Sequence, residues 1–226
     1  MTTYFSIVSM GRSGSTYLER LLASHPDITS LGEAVGATGA YSQHAHMSIR
    51  EFIQSRLFGN RDGICGFKMP FDNILTHPDV FGAFHDLSFR LIYLWRRNKL
   101  DQFLSVKLAQ KTGVWASDAT YGDQTVNVSV DELREFFITS AYADAVLQQM
   151  CQRFPHIAVA YEDIASGKHH GELQDFLGAD IHVLTTDTVR SRENSRRASI
   201  QNYDELARSF SGTPQAGFFS EQELLG

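Results

Sequence analysis

The chain has 226 residues and a formal net charge of −6, which excludes the broad basic face of a general nucleic-acid binder and makes any anion recognition local. Hydrophobic residues make up 42% and include 16 Phe, enough for a sizeable core in a single domain over residues 1–226 and too many for a disordered chain. The only cysteines, Cys65 and Cys151, form neither a metal motif nor a disulfide framework, so buried reduced thiols and a cytoplasmic setting are expected.

The first predicted element is a strand at Tyr4-Phe5-Ser6-Ile7-Val8. It starts too close to Met1 to leave room for a signal peptide, and no apolar run reaches the length of a membrane span. Ser9-Met10-Gly11-Arg12-Ser13-Gly14-Ser15-Thr16 follows, then a helical pattern from Ser15 to Ser24. Gly11 and Gly14 permit a tight turn with close backbone approach, and Ser15 and Thr16 add hydroxyls at a helix start whose unsatisfied N–H groups favour an anion. The turn reads as a cradle for a phosphate or sulfate ester; the alternative is a turn required only for tight packing. It departs from the G-x-x-x-x-G-K-[ST] pattern, with Ser15 at the lysine position, Ser9 at the first glycine position and the cation moved into the turn as Arg12. That arrangement suits one transferred anionic group better than a Mg-chelated triphosphate tail.

Further along, Gly32 to Tyr41 lacks periodicity and reads as a loop or lid over an acceptor. Ile64-Cys65-Gly66-Phe67-Lys68 is a short predicted strand whose last residue, Lys68, is a candidate electrostatic stabiliser beside Arg12. Phe89 to Trp95 is a buried strand leading to Arg96-Arg97-Asn98 and a helix over Lys99 to Lys111, with Ser105 about two turns in. A guanidinium and a hydroxyl so spaced can clamp a phosphate. Ser117 to Ser129 reads as a mobile excursion, Val130 to about Phe154 as a long helix and His156 to Tyr161 as a core strand. Strands alternating with helices predict an α/β fold with a mostly parallel central sheet flanked by helices. His25, at the end of the first helix, is expected to meet the helix dipole as an imidazolium. Phe136, Phe137, Tyr142 and Phe154 are expected to pack in the core, and Trp115 is a candidate sugar platform.

Taken in order, Arg12-Ser13-Gly14-Ser15-Thr16 and Arg97 with Ser105 resemble the two nucleotide-binding signatures of sulfotransferases that use 3′-phosphoadenosine 5′-phosphosulfate (PAPS). The nearest likeness is to bacterial carbohydrate sulfotransferases of the nodulation-factor and trehalose type. It is carried by Tyr17 to Pro26, Leu31-Gly32-Glu33, Gly66-Phe67-Lys68 and Lys111 to Trp115, then by Tyr161 to Ile164 and Asn202 to Leu206. The resemblance implies a P-loop-like three-layer fold in which the first loop holds the 5′-phosphosulfate and Arg97 and Ser105 hold the 3′-phosphate. It also implies Glu33 as the base, 3′-phosphoadenosine 5′-phosphate (PAP) as the product, a saccharide or glycolipid hydroxyl as the acceptor, and no metal.

No C-terminal glycine-lysine loop of the cytosolic sulfotransferases is present. Arg190, Arg192, Arg196 and Arg197 are the candidate substitute, with Arg196 and Arg197 as nucleotide contacts; a solvated or partner-facing surface is the other reading. Two alternatives stand beside the sulfotransferase: a P-loop small-molecule kinase and a nucleotide-binding scaffold without catalysis. The chain is expected to have no nucleic-acid partner and no membrane span, and its charge carries no information on oligomeric state.

Overall fold

Alternating side chains on Thr3–Ser9 divide the first strand between two cores: Phe5 and Ile7 join one apolar cluster and Val8 the other. The structure is a computed structural model describing residues 2–36, 39–59, 61–115, 120–188 and 194–220. In chain order its elements are β1 (Thr3–Ser9), α1 (Ser15–Ala23), β2 (Ile28–Ser30), α2 (Ile49–Phe52), β3 (Ile64–Pro70), α3 (Phe71–Thr76), α4 (Val80–Asp86), β4 (Arg90–Trp95) and α5 (Lys99–Thr112). They continue with α6 (Val130–Cys151), β5 (His156–Ala160), α7 (Tyr161–Ala165), α8 (His170–Leu177), α9 (Arg196–Ser199) and α10 (Tyr203–Ser209). Two compact units emerge: Met1–Trp95 with Ala143–Thr186, and Arg96–Tyr142 with Asp187–Gly226.

The first unit is a P-loop-like α/β fold. Its five-stranded sheet has the order β2-β3-β1-β4-β5, and every pairing is parallel. Parallel neighbours require crossovers, and helices cover both faces. Leu18, Leu21 and Leu22 of α1 pack with Ile164 of α7 and Leu173 and Leu177 of α8 on the side of Phe5 and Ile7. Phe52, Ile74 and Phe84, from α2, α3 and α4, and Leu147 and Cys151 of α6 pack with Val8, Phe67 and Met69 on the other. β1 lies at the centre, so its C-terminal end meets the crevice where open α/β sheets bind ligands.

The second unit is helical. Leu100, Phe103 and Leu104 of α5 pack with Leu133 and Phe137 of α6 and with Tyr203 and Leu206 of α10. Asn98 caps α5, its side chain accepting from the Asp101 N–H at 3.1 Å, and Gly113 ends the helix in the left-handed region.

Several expectations change. Ala34, Val35 and Tyr41 are buried in the first unit's core, so the described part of Gly32 to Tyr41 is anchored rather than a lid. Apolar side chains at three of its positions outweigh the missing periodicity. The described residues of Ser117 to Ser129 are likewise docked: Val126 bridges Ile200 in parallel, and Tyr121, Val126 and Val128 are buried. Residues 117–119 lie outside the described residues. Tyr142 is 67% exposed, because α6 turns that face to solvent. His25 is held at the end of α1 by two hydrogen bonds, its Nδ1 with the Asp27 N–H at 3.0 Å and its Nε2 with the Asp180 carbonyl at 2.9 Å. Both thiols are free and buried, and burial pushes that of Cys151 up to about 12.

Candidate functional site

β1 runs into the glycine-rich turn at Ser9, and two left-handed residues shape that turn: Arg12 at φ 61° and Gly14 at φ 92°. Gly14 is needed twice over. Its backbone angle disfavours a side chain, and a Cβ there would overlap the ring of Tyr161, the first residue of α7. Tyr161 in turn meets Tyr17 edge-on, with ring centroids 5.8 Å apart. Burial, and next the Tyr161 phenol, raise the Tyr17 pKa above its ordinary value, so this hydroxyl stays a donor at neutral pH.

The N-cap residue of α1 is Gly14, which has no side chain to cap the helix. Its positive end and first-turn N–H groups are therefore presented to the turn, where the dipole favours an anion. Ser13 is fully buried, and the buried hydroxyl of Ser9 has no hydrogen-bond partner among the described residues. A buried orphan hydroxyl costs about 1–3 kcal/mol. Backbone amides, serine and threonine hydroxyls and Arg12 make a donor set that fits a phosphate or sulfate group.

Lys68 lies over this cradle. Along β3 the residues alternate: Cys65, Phe67 and Met69 enter the core away from α1, which leaves Ile64, Gly66 and Lys68 on the α1 face. Register pairs Lys68 with Ile7, two residues before the end of β1. Its Nζ donates to Thr16 Oγ1 at 3.0 Å and lies 3.2 Å from Glu19 Oε2 and 3.6 Å from Glu33 Oε1. The Lys68 side chain is 8% exposed, that of Glu19 12% and that of Glu33 50%. One ammonium thus joins the anion turn, a buried carboxylate and a half-exposed carboxylate, the components needed to stabilise developing charge and accept a proton.

Glu33 is presented by a turn with Gly32 at φ 63°. The Gly32 N–H donates to Glu19 Oε1 at 2.5 Å, and its carbonyl accepts from the Lys68 N–H at 2.7 Å. Reading the sequence did not single out Glu19. Its only signal is an acidic residue three positions after Thr16, flanked by the buried Leu18, Leu21 and Leu22.

Within the second unit, Arg97 is exposed and immediately precedes the Asn98 cap of α5. Ser105 Oγ lies 3.2 Å from the Tyr121 hydroxyl, which also donates to the Ser105 carbonyl. Arg196 is 4% exposed and internally engaged: Nη1 meets Asp101 Oδ2 at 3.2 Å, and Nη2 donates to the Ser220 carbonyl at 2.6 Å. Arg197 pairs with Asp204 at 2.6 Å and lies over the Tyr203 ring, 5.5 Å from its centroid. Arg190 and Arg192 lie outside the described residues. Trp115 is 55% exposed. The structure brings Thr16, Lys68 and Glu33 together in the first unit and seats Arg97, Ser105, Arg196 and Arg197 in the second.

Among the described residues there is no group of three or more His, Cys, Asp or Glu placed to hold a metal, and no helix is long and apolar enough to cross a membrane.

Comparison with known proteins follows the same lines. The profile described as "Sulfotransferase family" matches residues 5–62, which include β1 from Phe5 onward, the anion turn, α1 and Glu33. Nodulation protein H of Rhizobium tropici is 25% identical over 229 residues, covering 95% of this chain and 92% of that protein. Nodulation protein H of Rhizobium meliloti is 23% identical over 232 residues, covering 95% and 94%. A sulfotransferase from Alicyclobacillus acidocaldarius superposes with a TM-score of 0.57 at 18% identity, over 96% of this chain and 94% of that one. The sulfotransferase domain from the curacin biosynthetic pathway does so with a TM-score of 0.53 at 15% identity, over 88% and 82%. Mouse sulfotransferase SULT7A1 complexed with PAP gives 0.50 at 11% identity, over 98% and 89%. The profile over the anion turn and the likeness to nodulation protein H along nearly the whole chain support a sulfotransferase family for this protein, and the solved sulfotransferases share its fold.

Proposed function

We propose that this protein is a PAPS-dependent sulfotransferase that moves a sulfuryl group to a hydroxyl of a saccharide or glycolipid. The observation that carries the reading is Lys68 Nζ, held at 3.0 Å from Thr16 in the anion turn and 3.6 Å from the half-exposed Glu33. When bound, PAPS supplies a sulfuryl group on a phosphate leaving group.

The turn from Arg12 to Thr16 holds the 5′-phosphosulfate through Ser13, Gly14, Ser15 and the positive end of α1. Arg12 and Lys68 stabilise the negative charge that grows as the leaving group departs, and need no metal for that. Glu33 accepts the proton of the acceptor hydroxyl, which a half-exposed carboxylate in a loop can reach. Arg97, exposed ahead of α5, and Ser105 within it take the 3′-phosphate, the Arg as a planar donor fork. Arg196 braces Asp101 and so holds the first turn of α5, while Arg197 stands at the surface beside Tyr203.

PAPS use is supported by the resemblance of the two signatures and by the fold shared with a sulfotransferase complexed with PAP. The saccharide-type acceptor is supported by likeness to nodulation protein H along 95% of the chain. That alignment, spanning both units, also favours one functional domain over residues 1–226.

Calorimetric titration with PAP, AMP and Mg-ATP under identical salt tests the donor site. Preference for PAP by tenfold or more, about 1.4 kcal/mol, is expected from loss of a charge-assisted phosphate clamp in AMP. Preference for Mg-ATP would turn the reading toward a kinase. Transfer of labelled sulfate from PAPS to a panel of oligosaccharides and glycolipids then tests the acceptor class, and transfer to none of them would overturn it.

A further inference from the structure

We propose that Glu19 is the positioning residue of this site: its buried carboxylate holds Lys68 with one oxygen and the turn carrying Glu33 with the other. The inference rests on the proposed sulfotransferase reading and adds a division of labour between two carboxylates.

Lys68 is one cation between two anions, and the geometry separates their roles. Glu19 is nearer, at 3.2 Å against 3.6 Å, and its side chain is 12% exposed against 50% for Glu33. Water screens the Glu33 contact more than the Glu19 contact, so Lys68 is matched chiefly by Glu19. The trio carries one net negative charge, and that charge falls to Glu33, the carboxylate open to an acceptor. Without Glu19, the ammonium would pair with Glu33 alone and make it a weaker proton acceptor.

The second oxygen acts on geometry. Glu19 Oε1 accepts from the Gly32 N–H at 2.5 Å and faces Ser30 Oγ at 3.4 Å. Gly32 is in the left-handed region, and its carbonyl closes onto the Lys68 N–H at 2.7 Å. Glu33 is therefore anchored through the residue before it to a helix whose first turn contains Thr16. The charged groups meeting at Lys68 are Glu19 from α1 and Glu33 from the loop, with the Thr16 hydroxyl completing its contacts.

Two substitutions separate charge from anchoring. Glu19→Gln keeps an oxygen for the Gly32 N–H and removes the charge, whereas Glu19→Ala removes both. In Glu19→Gln the Gly32 amide should exchange hydrogen within about twofold of the parent rate and PAP should bind within about threefold, since only the charge has gone. Its kcat should fall about tenfold or more, and the acid limb of its pH profile should move to lower pH as Lys68 turns to Glu33. In Glu19→Ala, Gly32 exchange should accelerate about tenfold or more, on loss of a charge-assisted hydrogen bond. Parent-like kcat and an unmoved acid limb in Glu19→Gln would overturn the charge role, as would a uniform fall in kcat with the limb unmoved. Unchanged Gly32 exchange in Glu19→Ala would overturn the anchoring role. Hydrogen exchange needs no turnover, so a parent inactive with every acceptor would sink the sulfotransferase reading while the anchoring of Gly32 is still decided.

Discussion

Two of the buried cations, Arg196 in the second unit and Lys68 in the first, are held in contrasting ways. Arg196 is itself buried and pairs with Asp101, whose side chain is 14% exposed, and it also donates to the backbone carbonyl of the exposed Ser220, so its one described carboxylate partner is largely shielded from water. Lys68 has one buried partner in Glu19, one hydroxyl from the anion turn and one half-exposed carboxylate. A closed pair of the first kind opens only at a large desolvation cost and serves structure. A pair with an exposed third member can exchange that contact for a ligand without leaving the cation bare. Burial of a charge therefore does not separate a functional site from a brace; the exposure of its carboxylate partners does.

Glu33→Gln should show the largest effect, a loss of about 10²–10⁴ in kcat through removal of the base. PAP affinity and unfolding midpoint should stay near those of the parent, because the side chain is half exposed. Full turnover in this variant would remove Glu33 from the chemistry. Arg196→Ala breaks the closed pair and leaves Asp101 buried without it. We expect a loss of about 3–5 kcal/mol of stability in urea titrations, with PAP affinity per folded molecule changed less than about threefold. A tenfold loss of PAP affinity at an unchanged midpoint would instead return Arg196 to the nucleotide and erase the contrast.

Gly14→Ala combines a left-handed backbone angle with overlap of the Tyr161 ring, and should cost about 1–3 kcal/mol together with weaker PAP binding. Stability and binding both equal to the parent would show that the turn has room to move. Smallest in energy is Arg97→Ala. Removing this exposed side chain should weaken PAP about tenfold, or about 1.4 kcal/mol, while AMP affinity and stability hold. Equal losses for PAP and AMP would deny Arg97 the 3′-phosphate.

Much of the architecture is local and was legible. Helices α1 and α5 begin at Ser15 and Lys99 as read, and the apolar runs of β1, β4 and β5 are strands. The periods of strand and helix, and residues able to cap or turn, are properties of short stretches of chain. β2 escaped notice because three residues at a sheet edge carry too little pattern, and Gly32 to Tyr41, read as a loop or lid, is a loop over its described residues up to Gly39, with the anchoring by Ala34, Val35 and Tyr41 unread because they follow no period.

Within the site, the residues of the anion turn, Lys68 and Glu33 were each visible as residue types at telling positions. Their meeting was not. Thr16 and Lys68 are 52 residues apart, and only the parallel register of β1 with β3 puts that lysine on the α1 face beside Ile7. Glu19 was not singled out in the sequence, and Arg196 stood there as a candidate nucleotide contact or a partner-facing surface residue; only the fold shows which partners each meets. The sequence by itself determined where β1, β3, β4, β5, the helices α1, α5 and α6 and the anion turn lie, because those depend on neighbours along the chain. Which charges would share a partner was decided by the tertiary structure, because electrostatic pairing depends on distance and water exclusion across the fold.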